Sequence, residues 1–254
     1  MTTMPSAQGA AQVAEHSSGH APDDISGPLL GCTVQVTDLC KTFGKRTLWQ
    51  GLGFDLHAGD MVALVGPSGC GKSTLLNCLG LLERPSSGTL LIDGSDVASM
   101  NERAKRLFRK NRLGYLFQDY ALIDNANVMD NLSVAWGGLP RNRRVAAAHE
   151  ALEYVGLPGR DADVVYRMSG GEQQRVALAR LMVKRPGLVL ADEPTGALDK
   201  ANAHMVVDGL RHMASQGATV VIATHSDAVA QACDRTIDLS AHHGDGGDES
   251  GEEQ

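Results

Sequence analysis

Long apolar runs are missing from this sequence. None approaches the ~20 residues of a helical membrane span. The 254 residues, 43% of them apolar, therefore predict a chain that builds its own core and does not itself cross a bilayer. Also missing, over residues 1–30, is the basic start followed by an apolar stretch that marks a secretory leader. That segment has no Lys or Arg at all, only Glu15, Asp23 and Asp24. Paired cysteines are lacking too. Cys32, Cys40, Cys70, Cys78 and Cys233 are odd in number, scattered and without a CxxC, which excludes a disulfide framework and predicts reduced thiols in the cytosol. Residues 241–254 carry five acids and no Lys or Arg, so the formal charge of -7 arises at the two ends. The body between them is near neutrality, about +1, and its net charge selects no nucleic-acid partner.

The two ends, 1–30 and 242–254, are polar or Gly/acid-rich and predict disordered, solvated tails. His242 and His243 beside the second tail lack the further ligands a metal site needs. In between, apolar runs alternate with helical patterns. Met61–Val65, Leu90–Ile92, Leu188–Ala191 and Thr219–Ala223 read as strands. Lys72–Leu82, Glu172–Lys184 and Ala201–Ala214 read as helices, and residues 125–166 are mostly helical in pattern. Arg103–Lys110 places Ala104, Leu107 and Phe108 on one helix face. Such alternation predicts an α/β fold with a mostly parallel sheet covered on both faces.

The strongest chemical signal is Gly66-Pro67-Ser68-Gly69-Cys70-Gly71-Lys72-Ser73-Thr74. It fits the phosphate loop G-x-x-x-x-G-K-[ST], with an apolar strand before it and a helix after it. Glycines let the backbone curl so that successive N–H groups converge on phosphate oxygens, and the helix start adds its positive end. Lys72 supplies charge for the β- and γ-phosphates, and the Ser73 hydroxyl ligates Mg2+. A second signal is Leu188-Val189-Leu190-Ala191-Asp192-Glu193, an apolar strand ending in two acids. Asp192 suits Mg2+ and Glu193 suits the polarisation of an attacking water.

Met168-Ser169-Gly170-Gly171-Glu172-Gln173-Gln174-Arg175 resembles the signature sequence, usually L-S-G-G-Q, of ATP-binding-cassette (ABC) ATPases. Ser169 with Glu172 is also a capping box, so the octapeptide alone would pass for a helix start. The order along the chain removes that ambiguity: phosphate loop, Gln118, signature, Asp192-Glu193, Ala197-Leu198-Asp199, then His225. The resemblance covers about residues 32–240. It implies a P-loop NTPase (RecA-like) core, an antiparallel β subdomain and an inserted α-helical subdomain at about 120–182, all within an ATPase domain spanning 31–241.

The resemblance further implies that Phe43, where Tyr is commoner, stacks on adenine. Gln118 would report nucleotide state and help coordinate Mg2+, Asp199 would couple two sites, and His225 would contact the γ-phosphate. Ser169, Gly170, Gly171 and Glu172 would close over ATP held by a second copy, making the unit an ATP-dependent homodimer. Met168 for Leu and Glu172 for Gln are mild departures. The implied partner is a separate integral-membrane permease, placing the chain in the cytoplasm, peripheral on the inner face of the plasma membrane. Gly114–Asp124 and Val128–Leu132 resemble the region that grips it. The pattern is most similar to the macrolide-export and lipoprotein-release type, closest within it to the bacteriocin-export group, so export or mechanical transmission is favoured over import. Soluble cassettes acting on ribosomes or nucleic acid are the competing class. The basic run Arg103, Lys105, Arg106, Arg109, Lys110 and Arg112 is read as a solvated helix face, against nucleic acid. Finally, Cys70 inside the loop is either an activated thiolate, whose alkylation would block ATP, or a shielded, inert thiol.

Overall fold

A computed structural model describes residues 29–242 apart from Ala197. The expectations for residues 1–28 and 243–254 and for Ala197 lie outside the described residues. Leu29, by contrast, expected in a disordered tail, donates its N–H to Gln216 O at 2.6 Å, and His242 closes a 3-10 turn, Ser240–His242. In chain order the strands are β1 (Val34–Phe43), β2 (Arg46–Leu56), β3 (Met61–Val65), β4 (Ser87–Ile92), β5 (Ser95–Asp96), β6 (Leu113–Leu116), β7 (Leu188–Asp192), β8 (Thr219–Ala223) and β9 (Arg235–Asp238). The helices are α1 (Lys72–Leu79), α2 (Glu102–Asn111), α3 (Val128–Ser133), α4 (Arg144–Tyr154), α5 (Gly170–Lys184), α6 (Lys200–Ser215) and α7 (Asp227–Gln231).

Two sheets form. The first is antiparallel, in the order β2-β1-β4-β5. The second is parallel throughout, in the order β6-β7-β8-β3-β9. Strands β3, β7 and β8 are apolar at nearly every position because both faces are covered, whereas edge strand β9 is mostly polar and exposed, and the pleat sorts alternate side chains. Val189, Ala191, Val220 and Ile222 join one core with α4, α5 and α6. Leu188, Leu190, Val221 and Ala223 join the other with α1 and the antiparallel sheet. Trp49 of β2 is fully buried in that second core, a contribution of about 2–3 kcal/mol. The parallel strands all point one way, so the loops after β3, β6, β7 and β8 emerge at one edge. In open α/β sheets ligands bind at such an edge.

Three local expectations are corrected. α1 stops at Leu79, short of Leu82, because Gly80 ends the helix and Leu81 takes φ 57°. On α2, Leu107 is 45% exposed whereas Lys105 is 4% exposed. The inward face is Ala104, Lys105 and Phe108, with the Lys105 ammonium 3.5 Å from Glu102. Residues 125–166, expected to be mostly helical, are helical only in short pieces. Two short helices, α3 and α4, are separated by 3-10 turns around Gly137 and Pro140, and Gly156, Pro158 and Gly159 stop the pattern before α5. Glycine and proline there break the hydrogen-bond ladder that the apolar spacing alone would support.

Candidate active site

The phosphate loop leaves β3 and enters α1. Gly66, Gly69 and Gly71 adopt φ of 142°, 78° and 97°, which side-chain-bearing residues rarely take. A Cβ on Gly66 would lie 2.8 Å from the Cys70 sulfur, and one on Gly71 would lie 2.7 Å from Trp49 Nε1. Glycine is therefore required at Gly66 and Gly71, where the loop is backed by Cys70 and Trp49. α1 has no side-chain cap, so its first-turn N–H groups face the cradle and suit an anion. Lys72, 9% exposed, reaches back so that its ammonium donates to the carbonyls of Gly66 at 2.8 Å and Pro67 at 3.2 Å.

The carboxylates come from the neighbouring strand. The Ser73 hydroxyl sits beside Asp192 at the end of β7 and favours its carboxylate. Burial raises the Asp192 carboxyl above the ordinary Asp range, and nearby Glu193 adds to this, while Ser73 and Lys72 oppose it. Glu193 follows at φ 45°, with its own N–H donating to Ala223 O at 2.9 Å. That link sets its side chain beside the loop after β8, where the His225 ring Nδ1 lies 2.8 Å from Glu193 Oε2. The backbone N–H of His225 points at the same oxygen from 3.4 Å.

These groups line one cleft of about 560 Å³, together with Phe43, Arg46, Leu48, Ser68, Gly69, Gly71, Thr74 and Gln118. Phe43 stands at the end of β1, 51% exposed, with the Lys41 ammonium 4.5 Å from its ring centroid. Lys41 is itself pinned by Glu83 and the Arg84 carbonyl, each at 2.7 Å. The oxygen and amide groups of Ser73, Asp192 and Gln118 are hard donors that fit Mg2+. Among the described residues no cluster of three or more His, Cys, Asp or Glu could hold a metal.

Several expected residues lie outside the cleft lining. Gly66 and Pro67 turn their carbonyls to Lys72. Cys70 is 1% exposed and packed among core residues, so it contributes backbone to the loop while its thiol is shielded. Ser169 caps α5: its hydroxyl accepts from Glu172 N at 3.3 Å, and Glu172 Oε2 accepts from Ser169 N at 2.8 Å. That backbone hydrogen bond, with the Arg160 guanidinium 2.9 Å from Oε1, holds the Glu172 carboxyl below the usual range. Asp199 caps α6 and accepts from the Asn202 backbone and side chain at 2.9 and 2.6 Å. Asn202 in turn hydrogen-bonds Arg175 of α5, and a Cβ on Gly171 would come 2.9 Å from Asn202 Nδ2. Ser169, Gly170, Gly171, Glu172 and Asp199 thus form a second group around two helix starts. Gln174 ties it to the carboxylate strand by donating to Pro194 O at 2.9 Å.

Sequence reasoning missed Arg46, Leu48 and Trp49. Arg46 Nη2 donates to Gly69 O at 3.1 Å, and Trp49 Nε1 reaches Gly71 O at 3.4 Å. The only available signal was position, a few residues beyond Phe43. Val128 and Leu132, expected at a partner surface, are fully buried. α3 instead anchors the loop after β6: Asn131 accepts from Ile123 N at 2.7 Å and donates to Ile123 O at 3.1 Å. This leaves Ile123 and Val134 51% and 60% exposed.

Cradle, cation, strand-end carboxylates and cleft aromatic define a P-loop nucleoside-triphosphate hydrolase. Residues 49–196 match the sequence profile of the family described as ABC transporter. The lipoprotein-releasing system ATP-binding protein LolD 1 of Caulobacter vibrioides is 43% identical over 196 residues, 75% of this chain and 83% of that one. The macrolide export ATP-binding/permease protein MacB of Brucella melitensis is 39% identical over 212 residues, 81% of this chain but 33% of that one. The chain thus spans about a third of this second relative. A solved dimeric structure of an ATP-binding cassette in a post-hydrolysis state, bound to ADP and Pi, superposes with a TM-score of 0.73 at 31% identity, covering 81% of this chain and 94% of that one. The chain belongs to the ABC transporter family, as an ATP-binding, ATP-hydrolysing cassette.

Proposed function

We propose that this cassette hydrolyses ATP as a homodimer to drive a separate membrane permease in an export system, nearest in kind to the bacteriocin-export group. The carrying observation is the division of the expected residues into two groups. One cleft gathers Phe43, the phosphate loop, Gln118, Asp192, Glu193 and His225, whereas Ser169–Glu172 lie outside its lining. A triphosphate held in the cleft is walled on one side, and α5 of a second copy, its positive start aimed at the γ-phosphate, supplies the other wall.

In this reading Phe43 stacks the base, with Lys41 holding its far face. The loop N–H groups and Lys72 bind the β- and γ-phosphates. Ser73, Asp192 and Gln118 would hold Mg2+, which when bound neutralises phosphate charge. Glu193 accepts the proton of the attacking water, and His225 orients Glu193 through the 2.8 Å contact. Asp199, through Asn202 and Arg175, links one copy's loop to its own α5 and so couples the two sites. Among the described residues no helix is long and apolar enough to cross a membrane, and exposed Ile123 and Val134 offer a permease an apolar contact. In this reading the cassette sits peripherally on the cytoplasmic face, held there by the permease. Internal partners take part of the basic run: Arg109 donates to Leu81 O at 2.7 Å and Arg112 pairs with Asp93 at 3.0 Å. That supports a structural use of these bases over nucleic-acid binding.

Glu193→Gln tests the proposal. Hydrolysis should fall by roughly 10²–10⁴ while ATP stays bound, and sizing in Mg-ATP should give a stable dimer. A variant that remains monomeric there overturns the two-copy site.

A further inference from the structure

We propose that Arg46 is a phosphate-binding, specificity-determining residue of the cleft, which holds the α- and β-phosphates and so selects nucleotides that carry them. The inference rests on the ATP-binding reading above and adds a residue to it. β1 and β2 pair so that Arg46 stands directly opposite Phe43. Residues directly opposite in an antiparallel pair project to the same face, and both line the cleft. The hairpin therefore presents an aromatic face and a guanidinium side by side. A base on Phe43 and a triphosphate tail in the loop leave the ribose and first phosphates to pass between them, where Arg46 stands.

The guanidinium is already aimed. Nη2 donates to Gly69 O at 3.1 Å, which fixes one edge of the fork against the phosphate loop. A guanidinium has five N–H donors in a planar array suited to phosphate oxygens, so most of them remain for a ligand. Among the described residues no acid forms an ion pair with Arg46. Lys41 differs: its charge is matched by Glu83 at 2.7 Å, and it serves the Phe43 ring. Arg46 thus brings an unneutralised cation to the cleft in addition to Lys72, whose ammonium sits inside the loop.

The test is equilibrium binding of Mg-ATP and Mg-ADP by calorimetry, and of adenosine by ligand-observed NMR, to the full chain. Arg46→Gln keeps a neutral donor for Gly69 O, and Arg46→Lys keeps the charge. Removing one charge-assisted contact should weaken ATP and ADP about tenfold in Arg46→Gln. Adenosine binding should be unchanged, and the salt dependence of ADP binding should flatten. Arg46→Lys should retain most of the affinity. Wild-type ADP affinity in Arg46→Gln, or an equal loss for adenosine and ADP, would mean that the guanidinium only props the loop, and overturns the proposal. A wild-type chain that binds neither ATP nor ADP would instead overturn the cleft's reading, and this proposal with it.

Discussion

Asp192 sits where chemistry and stability pull apart. Burial disfavours its carboxylate, raising its pKa, with Glu193 contributing in the same direction. For an acid whose folded pKa lies above the unfolded value, the folded state loses stability as pH rises from the ordinary Asp value through the raised one. Asp192→Asn removes that penalty and keeps a polar side chain beside Ser73. The variant should therefore melt higher than the parent at pH 7, and the advantage should fade below about pH 4. Hydrolysis should be lost at every pH. Melting curves across that range, with a phosphate-release assay, check both halves. A variant that melts lower at neutral pH would show that the carboxylate is a structural asset. Cys70 makes a related point. Its place in the motif allowed an activated thiol, but at 1% exposure the sulfur packs against the core side of the cradle, which favours the shielded alternative.

At the scale of elements, α5 depends on its first turn. Ser169 and Glu172 satisfy two of the N–H groups that a helix start leaves open, and Glu172 adds the Arg160 ion pair at 2.9 Å. Ser169→Ala should cost about 1 kcal/mol. Glu172→Gln keeps the reciprocal cap and loses only the charge, so it should cost under about 1 kcal/mol near neutrality. Because the Glu172 carboxyl is held below its ordinary value, its stabilisation is present above that ordinary value. It disappears as pH falls through the lowered one, so the gap between parent and Glu172→Gln should close in acid. A gap that widens in acid would contradict the assigned cause. α2 and β1 show why elements resist reading from sequence alone. β1 pairs with register shifts near Val36, Leu39 and Lys41, and each shift breaks the two-residue alternation by which a strand is recognised. α2 buries Lys105 because its stem covers apolar surface while its ammonium finds Glu102, which no apolar count anticipates.

For the whole molecule, the separation of cleft and α5 start has a functional consequence. If each site combines a phosphate loop from one copy with Ser169–Gly171 from the other, two inactive variants should rescue each other. Lys72→Ala damages only the loop. Gly171→Asp damages only the α5 start, where a Cβ already meets Asn202 at 2.9 Å. In a mixed dimer one of the two sites inherits both intact halves. Mixing the variants should therefore restore ATP hydrolysis that neither has alone, and absence of rescue with both proteins folded would overturn the shared site.

What the sequence by itself determined was local. The glycine spacing of the phosphate loop, the capping serine of α5, the strand ending in Asp192-Glu193 and the order of the motifs depend on chemistry within a few residues of each other. They were legible for that reason. The tertiary structure alone decided which of these meet. Phe43 and Arg46 reach the loop because a hairpin from the other sheet packs Trp49 beneath Gly71. Glu193 reaches His225 because β7 and β8 pair in parallel with Asp192 beside Ala223. The α5 start stays outside the cleft because its helix packs against α4 and α6 in the opposite core. Register and packing between distant segments are set by the burial of whole faces, a sum over many residues that no single motif encodes.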